Sequence, residues 1–139
     1  MNDLRNDDAG LTREQLDRLK DAARAASERA YVPYSKFRVG VAVLTEQGDV
    51  IAGCNVENAS YGLTCCAERA TLFSAVAAGK RNLRALLLYT PTPQRYTPCG
   101  ACRQVIAELA PHANVICVCD SEESLVATPQ ELLPASFSL

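Results

Sequence analysis

Nothing in these 139 residues forms a basic cluster: 14 lysines and arginines are scattered among 16 acidic residues, for a net charge of −2. A chain built to grip a phosphate backbone usually carries a basic face. Aromatic residues make up 6%, which offers little surface for stacking on bases. Both absences argue against a nucleic acid and favour a small, uncharged or weakly charged partner. No run approaches the roughly 20 apolar residues that span a bilayer, so no membrane partner is expected. The first residues, Met-Asn-Asp-Leu-Arg-Asn-Asp-Asp, lack the basic-then-apolar order of a secretory signal. A cytoplasmic location is the expectation. There is no internal repeat and no low-complexity tract.

What is present is apolar content of 48% with 22% charged residues, enough for one core without disulfide staples. Residues 1–10 read as a solvated tail, and residues 11–139 as a single domain. There are seven cysteines. In a compartment that keeps thiols reduced, and with an odd count, metal binding or thiol reactivity comes before disulfides.

The spacing predicts a helix from Thr12, with Gln15 completing a capping box, to about Ala30. Pro33 makes the next segment a loop. Phe37 to Leu44 alternates as a strand, Glu46–Asp49 turns, and Val50 to about Val56 returns as its hairpin partner. Glu57 to Thr64 reads as loop. Cys66 to Ala78 reads as a helix closed by Gly79. Leu83–Tyr89 is a buried strand, the Pro-rich stretch from Thr90 to Pro98 a loop, and Gly100–Ala110 a helix. Asn114–Cys119 and a short Leu125–Ala127 are strands, and Thr128 with Pro129 opens a last helix. This order predicts an α/β fold, a three-layer α/β/α sandwich with a mixed sheet of about five strands.

Two segments carry chemistry: Cys66-Ala67-Glu68, and Pro98-Cys99-Gly100-Ala101-Cys102. Each falls at a loop-to-helix junction. Unpaired N–H groups there carry roughly half a positive charge and stabilise thiolate, the form that binds metal. Cys99 and Cys102 can face one point from a single turn. Cys66, 33 residues before Cys99, can add a third ligand from another helix end. Three protein ligands leave a zinc ion one position for water, and zinc brings that water's pKa toward neutrality. Glu68, two residues from a ligand, is placed to accept the proton. A closed structural zinc site would need a fourth ligand. Cys65 is hard to turn inward beside Cys66, and His112 reads as a surface loop residue. Cys54, Cys117 and Cys119 sit in strand patterns and read as core.

The paired motifs are the three-cysteine form of the zinc-deaminase signature. The chain resembles the small zinc-dependent cytidine deaminases over most of its length. Tyr31-Val32-Pro33-Tyr34-Ser35-Lys36-Phe37 resembles their segment entering the first strand, Asn55-Val56-Glu57-Asn58-Ala59 their ribose-binding segment, and Leu132-Leu133-Pro134-Ala135-Ser136-Phe137 their C-terminal segment. The resemblance implies one Zn²⁺ per chain on Cys66, Cys99 and Cys102, and Glu68 moving protons in hydrolytic deamination of cytidine and deoxycytidine. It further implies Asn55 and Glu57 on the ribose hydroxyls, Phe37 against the nucleoside and the Ala67 amide on the pyrimidine O2. Arg69 would hydrogen-bond ligand sulfur, with Arg103 a weaker candidate beside it. The family is homotetrameric, so Tyr61 and Phe137 are candidates for a neighbouring subunit's site, and pyrimidine salvage is the implied role. Gly40 would lie where the strand must leave room. Arg38 and Ala70 depart from the residues common in the family. Deaminases of nucleoside antibiotics such as blasticidin S share both zinc motifs; Asn55 and Glu57 favour a ribose diol instead. Deaminases of polynucleotides usually begin their signature with His and need a basic, aromatic surface.

Overall fold

A computed structural model describes residues 9–139. Of the tail expected at 1–10, residues 1–8 lie outside the described residues. Ala9 is buried and Gly10 exposed, and both are tied to the domain: the Ala9 carbonyl accepts from Asn114 Nδ2 at 3.0 Å and the Gly10 carbonyl from Arg84 Nη2 at 3.0 Å.

Helix α1 spans Arg13–Ser27, and its capping box forms as the spacing predicts, with Thr12 and Gln15 exchanging side-chain and backbone bonds. It stops short of Ala30. The Arg38 guanidinium accounts for this, because Nη1 takes the carbonyls of Glu28 at 2.8 Å and Ala30 at 3.2 Å. A cation on the free carbonyls of a helix C-terminus is favourable. The departure at Arg38 thus has a local structural purpose.

Strands β1 (Gly40–Thr45) and β2 (Val50–Cys54) form the expected hairpin, turned at Gly48 with φ +90°. Both are shorter than the alternation suggested. Residues 37–39 leave the ladder because the Asn55 side chain takes their backbone groups: Nδ2 donates to the Phe37 carbonyl at 2.8 Å and Oδ1 accepts from Val39 N at 2.9 Å. Beyond Cys54 the chain continues as single bridges, Val56 pairing with Tyr31 on one side and Cys65 on the other. The expected loop at 57–64 contains a one-turn 3₁₀ segment, Tyr61–Leu63.

Helix α2 (Ala67–Ala77) ends at Gly79, φ +76°, with Lys80 N on the Ala75 carbonyl and Gly79 N on the Val76 carbonyl, the bonding of a Schellman stop. Then follow β3 (Leu83–Tyr89), α3 (Gly100–Leu109), β4 (Asn114–Val118), β5 (Ser124–Ala127) and α4 (Pro129–Leu132). The sheet order is β2-β1-β3-β4-β5, with β3 and β4 parallel and the other pairs antiparallel. The three-layer reading holds. Alternate residues Ala42, Leu44, Leu87 and Ile116 pack with Leu19 and Ala23 of α1, while Val41, Val43, Leu86 and Val115 pack with Leu72 of α2 and Ile106 of α3. Each fully buried Leu or Ile contributes roughly 1.5–3 kcal/mol relative to exposure.

Two close approaches set the helices on the sheet. A Cβ on Gly40 would lie 1.8 Å from the Ala23 carbonyl oxygen, and one on Gly53 would lie 2.5 Å from Thr71 Oγ1. Gly40 therefore lets α1 touch β1 backbone to backbone, and Gly53 leaves room on β2 for the Thr71 side chain of α2. Gly40→Ala is expected to cost about 3 kcal/mol, the upper part of the range for overpacking a filled core. Urea unfolding measures it, and an unchanged midpoint would show that α1 does not sit this close.

Candidate metal centre and active site

Helices α2 and α3 lie on the same face of the sheet and begin at neighbouring points. Cys66 is the N-cap of α2 and Cys99 the N-cap of α3, both in extended backbone (φ −67°, ψ 154° and φ −65°, ψ 166°). Cys102 lies in the first turn of α3, fully buried, and its N–H donates to Cys99 Sγ at 3.5 Å. The three Sγ atoms all lie within 4.8 Å of one another, with Cys66 and Cys99 at 4.0 Å. Zinc–sulfur bonds of about 2.3 Å at tetrahedral angles ask for sulfurs roughly 3.8 Å apart. The donor set therefore fits one zinc ion per chain with little movement.

Among the described residues no fourth His, Cys, Asp or Glu joins this group. Cys65 points its Sγ at the Cys66 carbonyl, 3.6 Å away, and His112 is exposed. A three-sulfur set leaves a fourth position on zinc, the arrangement of catalytic sites. Cys54 is half-buried, and Cys117 and Cys119 are buried in the sheet region. Burial pushes the Cys117 thiol up to about 12, which makes it a poor ligand.

Charge around the sulfurs is finely divided. A hydrogen bond from the Cys102 thiol holds the Cys66 thiol well below its ordinary value, and Arg69 adds to this against the effect of burial. Cys102 moves the other way, through the same bond and its burial. Arg69 Nη2 donates to Cys66 Sγ at 3.2 Å, and contact with the Cys66 and Cys102 sulfurs raises its affinity for its proton. Its Nε is buried and has no hydrogen-bond partner among the described residues. A cation with an unused N–H beside three sulfurs is what a negatively charged metal–thiolate group would call for. Glu68, in the first turn of α2, is 4% exposed. Burial is the main reason its carboxyl is raised above the usual range, with the negative charge of Cys66 adding to it.

The other candidate residues gather through backbone pairing. Tyr31 N donates to the Asn55 carbonyl and Glu57 N to the Tyr31 carbonyl, while Val56 and Cys65 exchange both of their bonds at 3.0 and 2.9 Å. This puts Asn55-Val56-Glu57 alongside the strand end that becomes the N-cap of α2. Asn55 is buried and spends its amide on Phe37 and Val39, as described above. Glu57 accepts from Tyr34 N and Ser35 N at 3.1 Å each and from the Ser35 hydroxyl. That hydroxyl, with the two amides, lowers the Glu57 carboxyl below its ordinary value. Ala67 is fully buried at the first position of α2, where a backbone N–H has no partner within the helix.

Phe37 meets Tyr96 edge to face, centroids 5.0 Å apart at 82°. Tyr96 was not singled out from the sequence, since nothing distinguishes it from an ordinary loop aromatic. The contact joins the Phe37 segment to the loop that carries Cys99. Tyr61 is 76% exposed, its ring 6.0 Å from that of Tyr34, and Phe137 is 70% exposed. Arg103, the weaker candidate for a ligand sulfur, spends its guanidinium on oxygen acceptors instead. It donates to the Pro98 carbonyl at 2.7 Å, the Leu132 carbonyl at 2.8 Å and Thr97 Oγ1 at 3.0 Å. It ties the Cys99 loop to α4. A separate cavity of about 400 Å³, lined by Lys20, Arg24, Tyr89, Asp120 and their neighbours, contains none of these residues.

Serine at Cys66, Cys99 or Cys102 should bring the zinc content of the purified protein to background, while serine at Cys54 or Cys65 should leave it near one per chain. Elemental analysis distinguishes the two sets. Retention of full zinc by any of the first three variants would exclude that sulfur from the set.

The comparisons with known proteins agree with this geometry. The chain is 47% identical over 121 residues to the cytidine deaminase of Halalkalibacterium halodurans, covering 86% of this chain and 91% of the relative. It is similar to the crystal structure of cytidine deaminase from Burkholderia pseudomallei, with a TM-score of 0.84, 47% identity, and coverage of 91% of this chain and all of that one. A blasticidin-S deaminase of Bacillus cereus is more distant, 28% identical over 129 residues, covering 85% of this chain and 91% of the relative. Residues 13–119, which hold all three sulfurs and Glu68, match the cytidine and deoxycytidylate deaminase zinc-binding region, and the chain belongs to that family.

Proposed function

We propose that this chain hydrolyses free cytidine and deoxycytidine to uridine and deoxyuridine with release of ammonia, as a step of pyrimidine salvage. The observation that carries the reading is a buried carboxyl, Glu68, set beside three sulfurs at the N-termini of two helices. Cys66, Cys99 and Cys102 would hold zinc, which when bound supplies the Lewis acidity that makes water nucleophilic near neutral pH. Glu68 accepts a proton from the attacking water and passes it to N3 of cytosine. As the water oxygen bonds to C4, Glu68 takes the second proton from the new C4 hydroxyl and delivers it to the C4 amino group, so that the C4–N bond breaks, ammonia leaves and the C4 carbonyl of uridine forms. A carboxyl raised by burial is better matched to both transfers than one at its solution value.

The remaining residues bind and orient. The Ala67 N–H, at the open end of α2, suits the pyrimidine O2, and Phe37 packs on the nucleoside. Glu57 takes a ribose hydroxyl, and Asn55 takes one with the N–H and the oxygen lone pair that Phe37 and Val39 leave over. Arg69 offsets part of the charge that three thiolates place on the metal. Exposed apolar side chains at Tyr61, Leu63, Phe73 and Phe137 support a homotetramer in which Tyr61 and Phe137 approach a neighbouring subunit's site. Sedimentation of the purified enzyme measures that state. Among the described residues no helix is long and apolar enough to cross a membrane, which is compatible with action in the cytoplasm.

One assay tests the chemistry: zinc content together with loss of cytidine absorbance. Glu68→Ala should keep its zinc while turnover falls about 10²–10⁴-fold, the usual contribution of a positioned acid–base group. In the same assay Arg69→Gln should weaken zinc affinity by about 10–100-fold. A Glu68→Ala enzyme of normal rate, or a wild type faster on blasticidin S than on cytidine, would refute the reading.

A further inference from the structure

The turn at residues 33–37 has an arrangement that packing does not require. Lys36, not a glycine, sits at φ +60°, a left-handed conformation that costs such a residue roughly 1–2 kcal/mol. Its N–H closes the turn on the Val32 carbonyl at 3.1 Å. The bonds that hold the turn in this shape converge on one carboxylate: the N–H groups of Tyr34 and Ser35 on Glu57 Oε1, and the Ser35 hydroxyl on Oε2. The same hydroxyl accepts from Phe37 N at 3.0 Å. One side-chain oxygen therefore links two residues 20 positions apart, Phe37 and Glu57. Asn55 fixes Phe37 from its other side through the carbonyl.

We propose that Ser35 is a positioning residue for the ribose: its hydroxyl orients the Glu57 carboxylate and registers Phe37 against it. This rests on the nucleoside reading given above. A carboxylate offers about four acceptor sites, and three on Glu57 are occupied by the turn. The free site is on Oε2, the oxygen that Ser35 grips. Glu57 and Ser35 both line an open depression of about 390 Å³, together with Tyr34, Tyr61 and Thr64. The carboxylate thus meets a ligand with one acceptor direction already chosen. Without the hydroxyl, Oε2 loses its anchor and the Phe37 N–H loses its acceptor, so the carboxylate turns more freely and less of its binding energy reaches the sugar.

A role confined to turn stability predicts equal effects on every substrate. Orientation of Glu57 predicts effects that follow the sugar hydroxyls. The test compares cytidine with 2′,3′-dideoxycytidine for zinc-loaded wild type, Ser35→Ala, Ser35→Thr and Glu57→Gln. Ser35→Ala should lower kcat/KM for cytidine about 10-fold, mainly through KM, as expected for a hydrogen bond to a charged group. Its effect on the dideoxynucleoside, which feels only the loosened Phe37 segment, should be clearly smaller, at most about 2-fold. Ser35→Thr should restore the cytidine rate, and Glu57→Gln should erase the difference that Ser35→Ala makes. If Ser35→Ala does not fold, Ser35→Cys carries the comparison, with a weak donor in the same place. Equal losses on both nucleosides, or failure of threonine to restore the rate, would overturn the proposal while leaving deamination intact. A wild type inactive on both nucleosides would instead refute the nucleoside reading, and this one with it.

Discussion

The molecule depends on two helix N-termini meeting at one point. A lone N-terminal thiolate is stabilised modestly by its helix. Three sulfurs within 4.8 Å are a different matter, because like charges at that distance repel unless a cation is shared. The fold makes the meeting unavoidable. Gly53 lets α2 lie close on β2, and α3 follows β3 on the same face of the sheet. The starting points of the helices are thereby set by the core, and Cys66 and Cys99 occupy the capping positions there, with Cys102 in the turn that follows. The Arg69 guanidinium, which reaches the Cys66 sulfur, lessens part of that repulsion.

The same end of the sheet is deliberately irregular. Regular strands consume their backbone groups in ladders and leave none for a ligand. Here the ladder between β1 and β2 stops at Gly40 and Cys54, and the Asn55 side chain replaces the next rungs. Phe37 is freed from the sheet without leaving buried backbone groups unpaired. Past that point, the bridges of Val56 with Tyr31 and Cys65 carry Glu57 and the α2 N-cap side by side. Position in the sequence becomes position around a site because strand pairing continues in single bonds after the strands have ended.

Local signals made much of this legible. The capping box at Thr12, the Thr128 cap with Pro129, the hairpin turn, the Gly79 stop and the two cysteine motifs each depend on residues a few positions apart. The order of layers followed from the alternation of elements. What the sequence could not display were long-range captures of backbone groups by side chains. Arg38 ending α1, Asn55 ending β1, and Arg103 joining the Cys99 loop to α4 all bridge eight or more positions or run against simple periodicity. Alternation at Phe37-Arg38-Val39 is as good as within β1, yet one amide side chain overrides it. The Phe37–Tyr96 contact is likewise invisible to any pattern, since it joins two loops.

Four consecutive residues at the start of α2 show how much chemistry one helical turn can hold. Cys66 and Arg69 are three apart, so they share a side of the helix, and the guanidinium reaches the sulfur without bending the chain. Ala67, between them, points into the core and is fully buried; a larger side chain there would push the turn off the sheet. Glu68 then has nowhere to go but inward, beside Cys102. Burial raises its carboxyl, while its own backbone N–H at the helix start acts against that. Burial prevails, and a raised carboxyl is better suited to both taking and giving a proton. Its burial opposes folding in the charged form, a cost that the core of α2 must offset. Where the helix begins thus decides both which sulfur binds and how readily the neighbouring acid gives up its proton.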